Sequence, residues 1–331
     1  MQVVITGGAG MLGKKLAKAL LERGTLAGPG EAPRRIERLI LLDVAEAPDL
    51  PKDERVTFVA GEVSDPALMR KLISGDTGSV FHFAAVVSAG AEADFDLGYR
   101  VNLDGTRVVL EACRALPRPP RVVFTSSIAV FGGELPDVLT DEQKLTPQTS
   151  YGAQKAMGEL LIADYTRKGY IDGRALRLPT IVVRPGKPNK AASTFASSII
   201  REPLQGQEAI CPVRPDNWMP LLSPRKTVEA FIRAHDLPSS SWGWNRSLTL
   251  PSLDATVGEM AEALKRFAGA DVYRRIRWEP DVAIQKIVDG WPKRLDSRRA
   301  RSMGFEADAS LEAIIQAFVE DDLKAPSATR S

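Results

Sequence analysis

Cysteine and histidine are nearly missing from this chain, with two of each among 331 residues. Cys113 and Cys211 stand far apart without metal-ligand spacing, which excludes a disulfide framework and fits a reducing compartment. His82 and His235 are equally isolated, with no cysteine or carboxylate cluster nearby in sequence, so no metal site is expected. An excess of one charge is also lacking. The 44 basic and 42 acidic side chains leave a formal charge of +2. That balance is too even for a nucleic-acid binder or a polybasic membrane anchor, but it suits a small anionic substrate. Met1 to Ile5 run directly into a glycine turn without the basic and apolar regions of a signal peptide, and no later run reaches membrane-spanning length. The expectation is a soluble, cytoplasmic protein with neither membrane nor nucleic acid as partner.

What the sequence does contain is alternation. Val3–Thr6, Leu39–Asp43, Val56–Gly61, Val80–Ala84 and Arg121–Ser126 read as strands. Lys14–Glu22, Pro66–Ile73, Asn102–Ala115 and Tyr151–Arg167 between and after them are long enough for helices. Such repetition predicts an α/β, Rossmann-type doubly wound parallel sheet. Ile181–Val183 is expected to add a strand, and Ser247–Leu250 to return late to the same sheet. From Arg184 onward, Pro185, Pro188, Pro203, Pro212, Pro215, Pro220 and Pro224 break the chain into short segments. The expected division is therefore a binding domain over 1–183, rejoined by 242–251, and a smaller substrate-binding region over 184–241 and 252–331. Ala325–Ser331 reads as a frayed tail.

Thr6-Gly7-Gly8-Ala9-Gly10-Met11-Leu12-Gly13 lies between the first strand and helix. Glycines there permit a tight turn and close approach of backbone to a pyrophosphate, while the helix N-terminus offers amide donors. Asp43 ends the second expected strand of the sheet, where a carboxylate accepts ribose hydroxyls and repels a 2′-phosphate, favouring NAD over NADP. The interval from Gly13 to Asp43 is long because Thr25–Arg38 inserts a loop, whose Arg34, Arg35 and Arg38 read as a solvated surface. Downstream, Tyr151 and Lys155 share a helix face. A phenol with a pKa of about 10 serves as a base only when cations favour the phenolate, and Lys155, joined by the positive ring of an oxidised nicotinamide, is placed to do so. Ser127 is expected to hold the substrate oxygen while Tyr151 takes its proton. Ser126 is assigned to the cofactor side.

These residues resemble the extended short-chain dehydrogenase/reductase family, also called the NAD-dependent epimerase/dehydratase family. The likeness runs through the glycine turn, Asp43, Gly61–Asp65, His82-Phe83-Ala84-Ala85, Asn102, Ser127, Tyr151-x-x-x-Lys155, Arg177–Gly186 and Leu295–Ala300. It implies NAD as cofactor, held by Gly7, Gly10, Met11, Leu12, Asp43, Glu62, Val63, Ala84, Ala85, Asn102, Ser126, Tyr151, Lys155 and Pro179. Glu62 and Val63 would lie near adenine, Ala84 and Ala85 along the cofactor, Lys155 on the nicotinamide ribose, and Asn102 in support of the active-site backbone. Glu62 departs from the family's usual Asp, and Phe131 from its frequent Tyr.

Within the family, the chain is similar to dehydrogenases of four-carbon sugar acids in Val4–Gly10, the long loop before Asp43, Arg184–Asn189 and Ser193–Gly206. That likeness implies oxidation of an aldonate C2 hydroxyl. Ser88, Arg184 and Asn189 then become substrate-binding candidates beside Ser127 and Tyr151. A nucleotide-sugar epimerase, another aldonate or uronate dehydrogenase, and a non-catalytic dinucleotide sensor are the alternatives. By the same resemblance, the helices of 102–115 and 151–167 would pair in a homodimer. Trp242 and Trp244 read as packing near the returning strand, and Arg298–Arg301 as a solvated helix face.

Overall fold

The computed structural model describes residues 1–28, 32–45, 49–186 and 192–323. Its chain opens with β1 (Gln2–Thr6), α1 (Met11–Arg23), the antiparallel pair β2 (Thr25–Ala27) and β3 (Pro33–Arg35), then β4 (Arg38–Asp43) and β5 (Val56–Ala60). Next come α2 (Pro66–Leu72), β6 (Thr77–His82), α3 (Ser88–Ala93), α4 (Phe95–Gly98), a π-helical turn (Tyr99–Asp104) and α5 (Gly105–Arg114). β7 (Arg121–Ser127), β8 (Val138–Leu139), α6 (Ser150–Arg167) and β9 (Asp172–Leu178) complete the first half. The described parts of the inserted segment thus pair as antiparallel strands. Arg34 within it is paired with Asp76 at 2.9 Å, and Arg35 is exposed.

Beyond β9 lie β10 (Thr180–Ile181), α7 (Thr194–Leu204), β11 (Ala209–Cys211), β12 (Trp218–Leu222), α8 (Pro224–Asp236) and β13 (Ser247–Thr249). β14 (Leu253–Thr256), α9 (Val257–Ala268), β15 (Ile276–Trp278) and β16 (Arg294–Leu295) follow. The main sheet has seven strands in the order β13-β9-β7-β6-β1-β4-β5, all pairs parallel. Its direction of winding reverses between β1 and β6, and open sheets bind ligands at the carboxyl ends beside such a switch.

Alternation along the strands feeds both faces. Val3, Ile5, Leu39, Leu41, Phe81, Val123 and Leu176 pack on one side. Val4, Ile40, Leu42, Val80, Val122, Phe124 and Ala175 pack on the other. A parallel sheet covered twice requires such near-continuous apolar strands. The strand expected at Ile181–Val183 is not in this sheet. Asp172–Leu178 takes that place, with Arg174 and Arg177 interrupting its apolar pattern. Ile181 belongs to a small sheet of order β10-β12-β14, while Val182 and Val183 join a separate core with α7, α9 and Leu311–Asp321. Ser247–Thr249 does reach the main sheet, pairing with Ala175–Arg177.

The histidines act as internal struts. His82 is hydrogen-bonded to the hydroxyls of Thr6 at 2.7 Å and Thr106 at 2.9 Å, and burial, with Lys155 nearby, lowers its pKa to about 3. His235 meets Ser79 at 2.7 Å and Asp236 at 3.0 Å. Arg299 is no solvated residue: its guanidinium donates to the carbonyls of Ser247, Trp242 and Asn245, stitching the C-terminal segment to the returning strand. Trp242 is buried, whereas Trp244 is exposed. No helix among the described residues is long and apolar enough to cross a membrane. The expected tail lies outside the described residues.

Candidate active site

β7 delivers two neighbouring serines to opposite sides. Ser126 Oγ donates to Glu159 Oε1 at 2.5 Å in the interior. Ser127, at the strand end, accepts from Ala129 N–H at 3.1 Å and is hydrogen-bonded to the Tyr151 phenol. Ser127 therefore faces the tyrosine, and the Ser126 hydroxyl is spent away from the crevice. Thr149 caps α6 by accepting from Gly152 N–H at 3.1 Å, and Glu92 accepts from Ser150 N–H at 3.0 Å. Those two caps start the helix immediately before Tyr151, satisfying amides that would otherwise lack partners.

Lys155 is 2 % exposed, with its ammonium 4.7 Å from the Phe124 ring centroid and 5.7 Å from that of Tyr151. Burial lowers its pKa to about 7, against the pull of Glu159 one turn further along α6. The phenol of the protein alone is without the nicotinamide ring that the sequence reading joined to Lys155. Its low-dielectric surroundings push the Tyr151 pKa up to about 12, with only the Ser127 hydrogen bond acting in the other direction. In the protein alone Tyr151 is thus a neutral hydroxyl, and Lys155 at this distance does not make it a phenolate.

The substrate candidates separate in space and in state. Ser88 is exposed at the start of α3, beyond the carboxyl end of β6. Arg184 donates to the Ser193 carbonyl at 3.0 Å and hydroxyl at 3.2 Å, clamping the approach to α7. Asn189 lies outside the described residues. Asn102 sits beneath the crevice: its Oδ1 accepts from Val86 N–H at 2.8 Å, and its Nδ2 donates to Val86 O at 2.9 Å and Gln154 Oε1 at 2.7 Å. Both donors are used, so Asn102 supports the loop and has no amide proton left for a cofactor. Val63 is buried against Gly105, leaving Glu62 as the exposed member of that pair, and Pro179 is buried just past β9.

The NAD dependent epimerase/dehydratase family model matches residues 3–243. This chain belongs to that family. Among similar proteins, D-erythronate dehydrogenase of Cupriavidus necator is 55% identical over 321 residues, covering 97% of this chain and 98% of its own. D-erythronate dehydrogenase of Haemophilus influenzae is 45% identical, covering 98% and 100%. A crystal structure described as the nucleoside-diphosphate-sugar epimerase from Agrobacterium tumefaciens superposes with a TM-score of 0.91 at 46% identity, covering 98% of this chain and 94% of that one.

NAD is accordingly the cofactor of this family member, and its crevice fits the dinucleotide. Gly7 has φ 72°, and a Cβ there would meet Ala84 N at 2.8 Å. A Cβ on Gly13 would lie 2.3 Å from Gly7 O. Only glycine lets the turn, the carboxyl end of β6 and α1 approach so closely. Gly10 caps α1 without a side-chain hydrogen bond, leaving its first amides for a ligand. The Asp43 carboxylate is fixed by Ala9 N–H at 3.0 Å and Val44 N–H at 2.8 Å, beside Ala9 of the turn.

Sequence reading missed Glu159, Gln154 and Glu92. Arg177 donates three bonds to the Glu159 carboxylate, between 2.7 and 3.2 Å, and both residues are buried. The four-residue step from Lys155 to Glu159 was available as a signal. Nothing in the sequence pointed to Gln154 or to Glu92, which act through contacts formed only on folding. Among the described residues no group of His, Cys, Asp and Glu could hold a metal ion.

Proposed function

We propose that this family member oxidises D-erythronate to 2-dehydro-D-erythronate, with Ser127, Tyr151 and Lys155 as its catalytic residues. The observation that carries the reading is the hydrogen-bonded Ser127 and Tyr151 pair at the strand ends, with the Lys155 ammonium buried alongside. The substrate hydroxyl proton passes to Tyr151, the C2–H electron pair leaves as hydride, and the carbonyl bond forms. Ser127 donates to the reacting oxygen and holds it against the phenol. When bound, NAD supplies the hydride acceptor and a positively charged ring. Tyr151 needs such positive charge, because burial alone keeps it protonated. Arg184 reads as the partner of the substrate carboxylate and Ser88 as a hydroxyl contact, in keeping with a four-carbon acid. The names of the two long-covering relatives support that substrate.

The name of the Agrobacterium tumefaciens structure favours a second reading, a nucleotide-sugar epimerase. Purified protein given NAD with D-erythronate, L-threonate or a UDP-sugar distinguishes them. Net NADH formation fastest with D-erythronate is expected; epimerised sugar with no net NADH would replace the reading. Tyr151→Phe should abolish turnover while NADH still binds, an outcome no mere dinucleotide sensor would give. We further read α5 and α6 as a homodimer face, since Leu160 on α6 is an exposed apolar side chain, and the cytoplasm as the compartment, since both thiols are free. A monomeric mass by light scattering would overturn the dimer.

A further inference from the structure

Gln154 stands between Tyr151 and Lys155 in sequence and is wholly buried. Its Oε1 accepts from Asn102 Nδ2 at 2.7 Å, while its Nε2 has no hydrogen-bond partner. That nitrogen is packed where a Cβ on Gly98 would come within 2.8 Å of it. The orientation follows from the amides on either side. Val86 N–H requires an acceptor, so Asn102 presents Oδ1 to it, and Asn102 Nδ2 is left facing both Val86 O and Gln154. Gln154 must then offer oxygen. Turning either amide to satisfy Nε2 would break a bond at the other end of the chain. An orphaned buried donor is rare enough to need a reason, and an apolar residue would fill the same space without one.

We propose that Gln154 is a positioning residue: through Asn102 it fixes Val86, and so sets the Ala84–Ser88 segment against Tyr151 and Lys155. Three features support this. Asn102 grips both the N–H and the carbonyl of Val86, as a strand neighbour would, and so holds a loop that no sheet partner holds. Asn102 lies in the π-helical turn Tyr99–Asp104, a widened helix of the kind frequent at functional sites. α6 is also tied to α3, the helix that follows this loop, where Ser150 N–H at the start of α6 donates to Glu92 at 3.0 Å. The catalytic helix is therefore joined to the loop expected to carry cofactor and substrate contacts through Asn102 at Val86, and directly to the following α3. This inference rests on the roles proposed for Tyr151 and Lys155.

Gln154→Met removes both polar atoms while nearly preserving length. In the protein without cofactor, hydrogen exchange at the Val86 amide should accelerate roughly fivefold or more, with the main-sheet amides unchanged. Turnover of D-erythronate should fall about tenfold or more through kcat, since small misplacements of reacting groups are costly. Asn102→Ala should mask it: the double variant should be no slower than Asn102→Ala alone. Unchanged exchange at Val86, or losses that multiply in the double variant, would overturn the proposal. Gln154→Glu keeps the acceptor oxygen and tests the same link should the Met variant fold poorly; wild-type exchange at Val86 is expected, and acceleration would count against it. The exchange result does not depend on the reaction, so failure of the catalytic reading, seen as turnover surviving Tyr151→Phe, remains distinguishable.

Discussion

Lys155 should weaken the fold it serves. Its ammonium is 2 % exposed, and burial takes its pKa from the usual 10.5 to about 7. One pH unit corresponds to about 1.4 kcal/mol, so holding this cation inside costs roughly 5 kcal/mol at most near neutral pH. Losing the ammonium's contact with the Phe124 ring returns about 1–2 kcal/mol of that. Lys155→Met is therefore expected to stabilise the protein by about 2–4 kcal/mol at about pH 7 while abolishing turnover. The sign of the pH dependence follows from proton counting. Between about 7 and 10.5 the unfolded lysine holds a proton that the folded one has released, so wild-type stability rises with pH across that window. The Met variant lacks this rise, and the two proteins converge as pH approaches 10.5. Urea unfolding of both, followed by tryptophan fluorescence at several pH values, measures the difference directly. Parallel stability curves, or a variant weaker than wild type throughout, would refute the account of a desolvated cation.

Glu159→Gln leaves the buried Arg177 guanidinium without its counter-charge, so a loss of about 2–4 kcal/mol is expected in the same unfolding assay. It also removes the charge that raises Lys155, so the pH-dependent rise in stability should begin below the wild-type value of about 7. Gly13→Ala drives a Cβ to 2.3 Å from Gly7 O, a contact between rigid backbone segments. It should cost about 1–3 kcal/mol of stability and weaken NADH binding about tenfold or more; undiminished affinity in a fluorescence titration would remove the glycine turn from the cofactor site. Both cysteines are buried, with Cys113 held far above the usual thiol range and Cys211 pushed up to about 11. Neither should react with a disulfide reagent at neutral pH until urea is added, and rapid labelling of the folded chain would contradict this packing.

The parts of the fold legible in the sequence are those set by local pattern. The early strands and the glycine turn are short-range features, and their apolar runs appear in the sheet with few changes of boundary. β9 escaped because its Arg174 and Arg177 look like surface residues. Their charges are instead satisfied internally, Arg174 by Asp172 and Leu237 O, and Arg177 by Glu159. Ile181–Val183 looked more strand-like than the true strand and serves a different core. Ser127 was separable from Ser126 in the sequence, but the partner of Ser126 was not: the pleat of β7 turns it to Glu159 rather than to the cofactor side, while Ser127 meets Tyr151. Spacing alone also left open how much of the charge on Tyr151 comes from Lys155: in the protein without cofactor burial keeps the phenol neutral, so the positive nicotinamide ring is the part of the expected pair of cations that remains to act.

α6 explains why the site was harder to read than the sheet. A helix is ordinarily placed by an apolar stripe, yet the buried positions of this one are Gly152, Gln154, Lys155, Gly158, Glu159 and Ile162. Gln154, Lys155 and Glu159 face inward and Leu160 faces out. Close approach substitutes for the missing hydrophobic face. A Cβ on Gly152 would lie 2.1 Å from Ala129 O, and one on Gly158 would lie 2.6 Å from the Phe124 ring. With the helix so near β7, each inward polar group meets a definite neighbour: Gln154 meets Asn102, Lys155 the aromatic rings, and Glu159 both Ser126 and Arg177. The glycines therefore do as much to locate Tyr151 as its own contacts do. Enlarging either should displace the tyrosine from Ser127 while leaving the seven-stranded sheet in place.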